Sequence, residues 1–198
     1  MPLKLLSSGG GSVLLTANTT ASDFTVNVPA VNGNMVTTAD TGSISQSMLG
    51  AGVYAGYGPA FIATRITSNQ SLPSATWTKI SFNSTDFDTN SVVNTSTGTI
   101  TPTVAGYYNI SASAYINYTA SALNRMGIRI YKNGSAIKGD ATTGTTAFYG
   151  MINISSLVYC NGTTDYIEIY AFQASSSDST ILANGLYTYC SGFLARAA

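Results

Sequence analysis

The residues that could do chemistry are few. The chain contains no histidine, which removes Ser-His-Asp and Cys-His catalysis and the usual imidazole zinc sites. Glu168 is the single glutamate. Glycoside cleavage needs two facing carboxylates, and the pairs on offer are Asp165 with Glu168 or Asp86 with Asp88. Residues three apart on a strand point to opposite faces, so Asp165 and Glu168 do not face one another in an extended segment. Asp86 and Asp88 sit in the polar stretch NSTDFDTN (83–90), read here as a loop. Its oxygens suit a hard cation such as calcium. Two carboxylates match no defined loop motif, however, and a solvated turn is the simpler reading. Beyond this calcium candidate no catalytic residue, cofactor or metal ligand is assigned, and the chain is read as a binder, not an enzyme. Cys160 and Cys190 lack metal-like spacing. A disulfide is open to them, with buried free thiols as the simpler alternative.

Composition narrows the partners. Eight Lys and Arg balance eight Asp and Glu. No basic cluster exists to neutralise phosphates or to dock on an anionic membrane, so neither nucleic acid nor membrane insertion is expected. No apolar run approaches about 18 residues. The start, MPLKLLSSGGGSVLL, makes a poor signal peptide, so the product is expected in the cytosol that made it or in a particle. The nine Asn-x-Ser/Thr sequons are then a by-product of composition. Ser and Thr form about a quarter of the chain, but 13 Tyr and 7 Phe with many Ile and Val argue for a folded β protein.

The elements follow from period-two alternation. SVLLT (12–16) follows a triple glycine, and FTVNV (24–28) places Phe24, Val26 and Val28 on one face before Pro29 ends it. MVTT (35–38) follows the Asn32-Gly33 turn. These strands are too short for a core of their own and need partners, most simply the same segment of neighbouring chains. SISQSML (43–49) fits one or two helical turns, and GAGVYAGYG (50–58) reads as a linker. The divisions are 1–41, 42–58 and 59–198.

From residue 59 strands recur. They are AFIATR (60–65), WTKISF (77–82), GTITP (98–102), YYNISASAYINY (107–118), FYGMINISSLVYC (148–160), DYIEIYAF (165–172) and a last one at 186–195. In the fourth, Tyr108, Ile110, Ala112, Ala114 and Ile116 share the inner face. MGIRIYKNGSAIKG (126–139) is a hairpin turning at Asn133-Gly134, with Met126, Ile128 and Ile130 inward. The fold class is all-β: a sandwich or jelly roll of about eight to ten antiparallel strands. Polar loops TASALN (119–124) and QASSSDST (173–180) offer Asn124, Ser176 and Asp178 for recognition. Solvated connectors are the plainer reading of both.

Four phrases in order carry a resemblance over residues 59–198: AFIATR, TGTITPTVAGYYNISASAYI, IRIYKNGSAI and YCSGFLA. This region resembles the globular head of complement first-component q, in the tumour-necrosis-factor-like jelly-roll superfamily. Cys190 stands where the family's closing strand usually has an aromatic residue. The resemblance implies a homotrimer, in which Tyr107, Tyr115 and Tyr131 face either neighbouring subunits or solvent, and Phe24 and Val26 meet their copies in a stem. The segment GGGSVLLTANTTASDFTVNVPAVNGNMVTTADTGSISQSMLG resembles the front end of bacteriophage structural proteins. The implied whole is a virion protein: a trimeric fibre, spike or decoration protein anchored to capsid or tail. Its head would meet a host glycan or protein, or alternatively cement the particle without a receptor.

Overall fold

A computed structural model of the chain describes residues 3–6, 9, 12–15, 58–118, 123–143 and 149–198. The chain divides into two compact units, Met1–Ser43 and Ile44–Ala198. In the first, β1 (Leu3–Leu6) pairs antiparallel with β2 (Ser12–Leu15), Leu6 opposite Ser12. The SVLL strand is thus present, and its partner is the apolar start LKLL, for which the sequence predicts no strand. FTVNV, MVTT, SISQSML and the residues Phe24 and Val26 lie outside the described residues.

The second unit is a sandwich of two antiparallel sheets, with no helix among the described residues. Its strands are β3 (Ala60–Thr64), β4 (Gln70–Leu72), β5 (Thr78–Lys79), β6 (Ser84–Asp88), β7 (Val93–Asn94), β8 (Thr99–Ile100) and β9 (Gly106–Asn117). They continue with β10 (Leu123–Lys132), β11 (Ser135–Thr142), β12 (Tyr149–Cys160), β13 (Ile167–Ser175), β14 (Ser179–Ile181) and β15 (Tyr189–Ala197). Of these thirteen, eight have five residues or more, and the extra ones are short pieces that complete edges.

The larger sheet runs β12-β9-β15-β3-β6, and β14 with β4 continues along the edge of β9 that β15 uses. The smaller runs β11-β10-β13-β8-β7, with β5 also on β13. Between them lies one core. Tyr108, Ile110, Ala112, Ala114 and Ile116 of β9 point into it, as do Ile128 and Ile130 of β10 and Ile167, Ile169 and Ala171 of β13. The alternation in β9 and β10 therefore decides which face is core, as the sequence predicts. At the hairpin tip Asn133 and Gly134 have φ of 52° and 76°, the left-handed pair that a two-residue turn between twisted strands needs.

Five segments differ from the sequence reading. TASALN is in part strand, since Leu123 and Asn124 open β10 rather than belonging to a loop. NSTDFDTN is not a loop: Ser84 to Asp88 pair with β3, register shifting between Ile62 and Ala63. This is an edge strand, where polar side chains are tolerated because one rim faces water. QASSSDST is mostly strand, since Gln173 to Ser175 end β13 and Ser179 opens β14. The ladder in WTKISF shrinks to Thr78–Lys79, although Ile80 and Phe82 are buried as expected. The last strand starts at Tyr189, because the backbone N–H groups of Tyr187 and Thr188 are turned back onto the Asn184 carbonyl.

Candidate functional site

Among the described residues, the outward face of the larger sheet carries a row of exposed apolar and aromatic side chains. On β12, Tyr149, Met151, Asn153, Ser155, Leu157 and Tyr159 alternate outward, opposite Asn117, Tyr115, Ser113, Ser111, Asn109 and Tyr107 of β9. Across β9, Tyr189, Ser191 and Phe193 of β15 extend the same face. No charged residue stands at any of these positions; Arg196, beside Tyr107, marks one end. Leu157 is 60% exposed, Tyr149 54% and Phe193 52%. Tyrosines gather at both ends of the strands. Tyr107 meets Tyr159 at 5.4 Å between ring centres, and Tyr115 meets Tyr149 at 5.6 Å and Tyr187 at 5.3 Å. Between them Ser111 and Ser155 share a hydroxyl hydrogen bond of 2.8 Å. A broad uncharged face with aromatic anchors and a shared Ser111–Ser155 hydroxyl bond has the make-up of the centre of a protein interface, although the buried Ser113 hydroxyl on it has no partner among the described residues.

Of the residues singled out from sequence, Tyr107 and Tyr115 lie on this face. Tyr131 does not: it stands on the outer side of the smaller sheet, stacked at 4.0 Å on Tyr170. The three tyrosines therefore cannot belong to one flat interface. The row on β12 was missed, because its outward positions mix Asn and Ser with Leu, Met and Tyr and so give no clean polarity contrast.

The other candidates are tied into the fold. Asp88 accepts the backbone N–H groups of Val92 and Val93 at 2.9 and 2.8 Å, closing the turn after β6, while Asp86 is exposed. Among the described residues no three His, Cys, Asp or Glu side chains converge, and a calcium ion at Asp88 would displace those two donors. Asp178 accepts the Ser74 N–H at 3.0 Å. Gln173, fully buried, donates to the Leu72 and Ser177 carbonyls and accepts from Ser175. The 173–178 segment is thus a bracket across the sandwich edge, with Ser176 exposed at its tip. The Asn124 side chain lies outside the described residues.

Of the pairs weighed for catalysis, Asp165 and Glu168 are each ion-paired to a different lysine. Glu168 meets Lys79 at 3.0 Å and Asp165 meets Lys132 at 2.8 Å. The Lys132 ammonium, then the Asn133 amide, hold the Asp165 carboxyl below the usual range, with the Asn161 N–H adding to them against partial burial. Cys160 and Cys190 are free and buried. They sit on opposite edges of β9, Cys160 beside Gly106 and Cys190 beside Ala112. Six residues along a strand is about 20 Å, and a disulfide tolerates about 7 Å between Cα atoms, so these cysteines do not bond to one another.

No protein-family model and no curated protein sequence matches the chain. Solved structures do. The globular domain of zebrafish complement 1qA protein superposes with a TM-score of 0.52 at 15% identity, covering 71% of this chain and 99% of that one. Eiger TNF from S. frugiperda gives 0.57 at 8% identity, covering 71% and 94%. Murine APRIL gives 0.52 at 8%, covering 69% and 98%. The chain has the jelly-roll fold of these domains. At such identities the likeness reaches the fold alone, and function has to come from the surfaces.

Proposed function

We propose that the chain is a bacteriophage virion structural protein, a homotrimeric fibre, spike or decoration protein whose jelly-roll head attaches to the host surface. The observation that carries the oligomer is the charge-free strip that β12, β9 and β15 present on the outer face of the larger sheet. Exposed in a monomer, it would leave Leu157, Met151, Phe193 and the tyrosine clusters in water. Buried between three copies, it supplies the apolar centre that an interface of roughly 800 Å2 per partner requires. The virion assignment is supported by the resemblance of the first fifty residues to phage structural segments. Those residues would anchor the head to capsid or tail proteins.

Attachment in this reading needs no cofactor and no covalent step. Many heads on one particle raise the effective concentration at the host surface, so weak contacts add up to firm adsorption. Calcium has no required part. The test is a host-adsorption assay with purified full-length protein, joined to electron microscopy of the particle. Saturable binding by a head that projects freely from the virion is expected. No saturable binding, with the head wedged between capsid or tail subunits, would replace attachment with cementing.

A further inference from the structure

The opposite side of the sandwich carries a different surface. On the smaller sheet Trp77 crosses the outer face of β10 at Gly127, where an added Cβ would stand 2.7 Å from Trp77 Cη2. The stem of Arg129 lies over Gly139 of β11, where a Cβ would stand 3.0 Å from Arg129 Cγ. Two glycines thus make the seat for one indole and one guanidinium. The Arg129 guanidinium lies 4.0 Å from the Trp77 ring centre, Trp77 meets Phe172 at 5.1 Å, and Arg125 lies 5.1 Å over Phe172. The result is a ladder of Arg129, Trp77, Phe172 and Arg125.

Neither arginine pairs with a carboxylate among the described residues; the two ion pairs there use Lys79 and Lys132. Ring faces hold the guanidiniums in place, which leaves their N–H edges available to an anion from outside. A groove of about 510 Å3 opens beside the ladder, lined by Trp77, Arg125, Arg129, Ile137, Lys138 and Asp140 with small residues of β11. Three of the eight basic residues of the whole chain line it against one acid. Such a volume lies within the range of ligand pockets, about 300–1,000 Å3.

We propose that this groove binds an acidic saccharide, a sugar carrying a carboxylate or a phosphate. The guanidinium forks match either anion. Asp140, whose Oδ1 accepts the Ala141 N–H at 2.8 Å, keeps a second oxygen for sugar hydroxyls, which a site for a bare anion would not need. Ile137 and the indole edge supply the apolar contact for the ring C–H faces. A trimer closed through the larger sheet leaves all three grooves open on its outside. The assignment rests on the attachment reading for its biological role, though the groove's ligand chemistry stands apart from it.

Trp77 is the single tryptophan, so intrinsic fluorescence of the full chain reports on the groove directly. Trigalacturonate, glucose 6-phosphate and neutral galactotriose are the probes. We expect a saturable change in Trp77 emission with at least one acidic sugar and none with galactotriose. Arg129→Ala should weaken it tenfold or more, Arg125→Ala should weaken it too, and added salt should reduce it. The sugar that binds decides between carboxylate and phosphate. No saturable change with either acidic sugar overturns the proposal, as does a change that both arginine variants leave intact while retaining the wild-type thermal transition. Host adsorption measured in parallel separates the two claims. Sugar binding without adsorption removes the attachment reading and keeps the groove. Adsorption that survives Arg129→Ala removes the groove as the attachment point.

Discussion

Cys160 and Cys190 illustrate how burial sets chemistry at single residues. Burial pushes the Cys160 thiol up to about 11, with Asp165 adding to the rise and Lys132 opposing it, and raises Cys190 by burial alone. A thiol is reactive only as thiolate. At about pH 8 a thiol reagent should therefore label neither cysteine in the native protein and both after denaturation; labelling of the native form would contradict the core placement. Asp165 gives a pH-dependent counterpart. Its carboxyl is held below its ordinary value of 3.8, so the folded state favours the ionised form. Its contribution to stability is complete above the ordinary value and is lost as pH falls through the lower folded value. The thermal midpoint should fall on acidification from about pH 5 to about pH 2, and Asp165→Asn should flatten that slope. An unchanged slope would mean that the Lys132 and Asn133 contacts do not form.

At the level of elements, what could be read in advance depended on how locally each strand was determined. β9 and β10 are long and alternate cleanly, and β10 ends at a turn with its own residue signature, so the inward faces of both and the β10–β11 hairpin were legible. β6, β7, β4 and β14 were not. They are two to five residues long, polar, and held by the strands beside them rather than by their own propensity. The candidate interface was half legible for the same reason. Tyr107 and Tyr115 follow from the period of β9, whereas Tyr131 obeys the same period but belongs to the other sheet, which no local pattern reveals. The groove was not legible at all, because Trp77 reaches it from the connection before β5, and Arg129 and Asp140 from β10 and β11. The strand assignment has a sharp test. Ile128 is fully buried, and an unpaired carboxylate there costs several kcal/mol against a total stability of about 5–15 kcal/mol. Ile128→Asp should abolish the cooperative thermal transition; a normal transition would overturn the inward placement of β10.

At the scale of the whole sandwich, the two outer faces differ in chemistry. The charge-free face of β12, β9 and β15 is suited to self-association, and the opposite face carries the cationic groove. Association through the first predicts that Leu157→Asp, on a residue 60% exposed in the single chain, breaks the oligomer without unfolding the subunit. The substitution forfeits about 1.5–3 kcal/mol of apolar burial per subunit and places a like charge from each copy in one interface. The most direct measurement is the solution mass of the full chain by light scattering. Three chains of 20.5 kDa are expected in the wild type and one in Leu157→Asp. A wild-type chain that stays monomeric at working concentration would contradict association through this face.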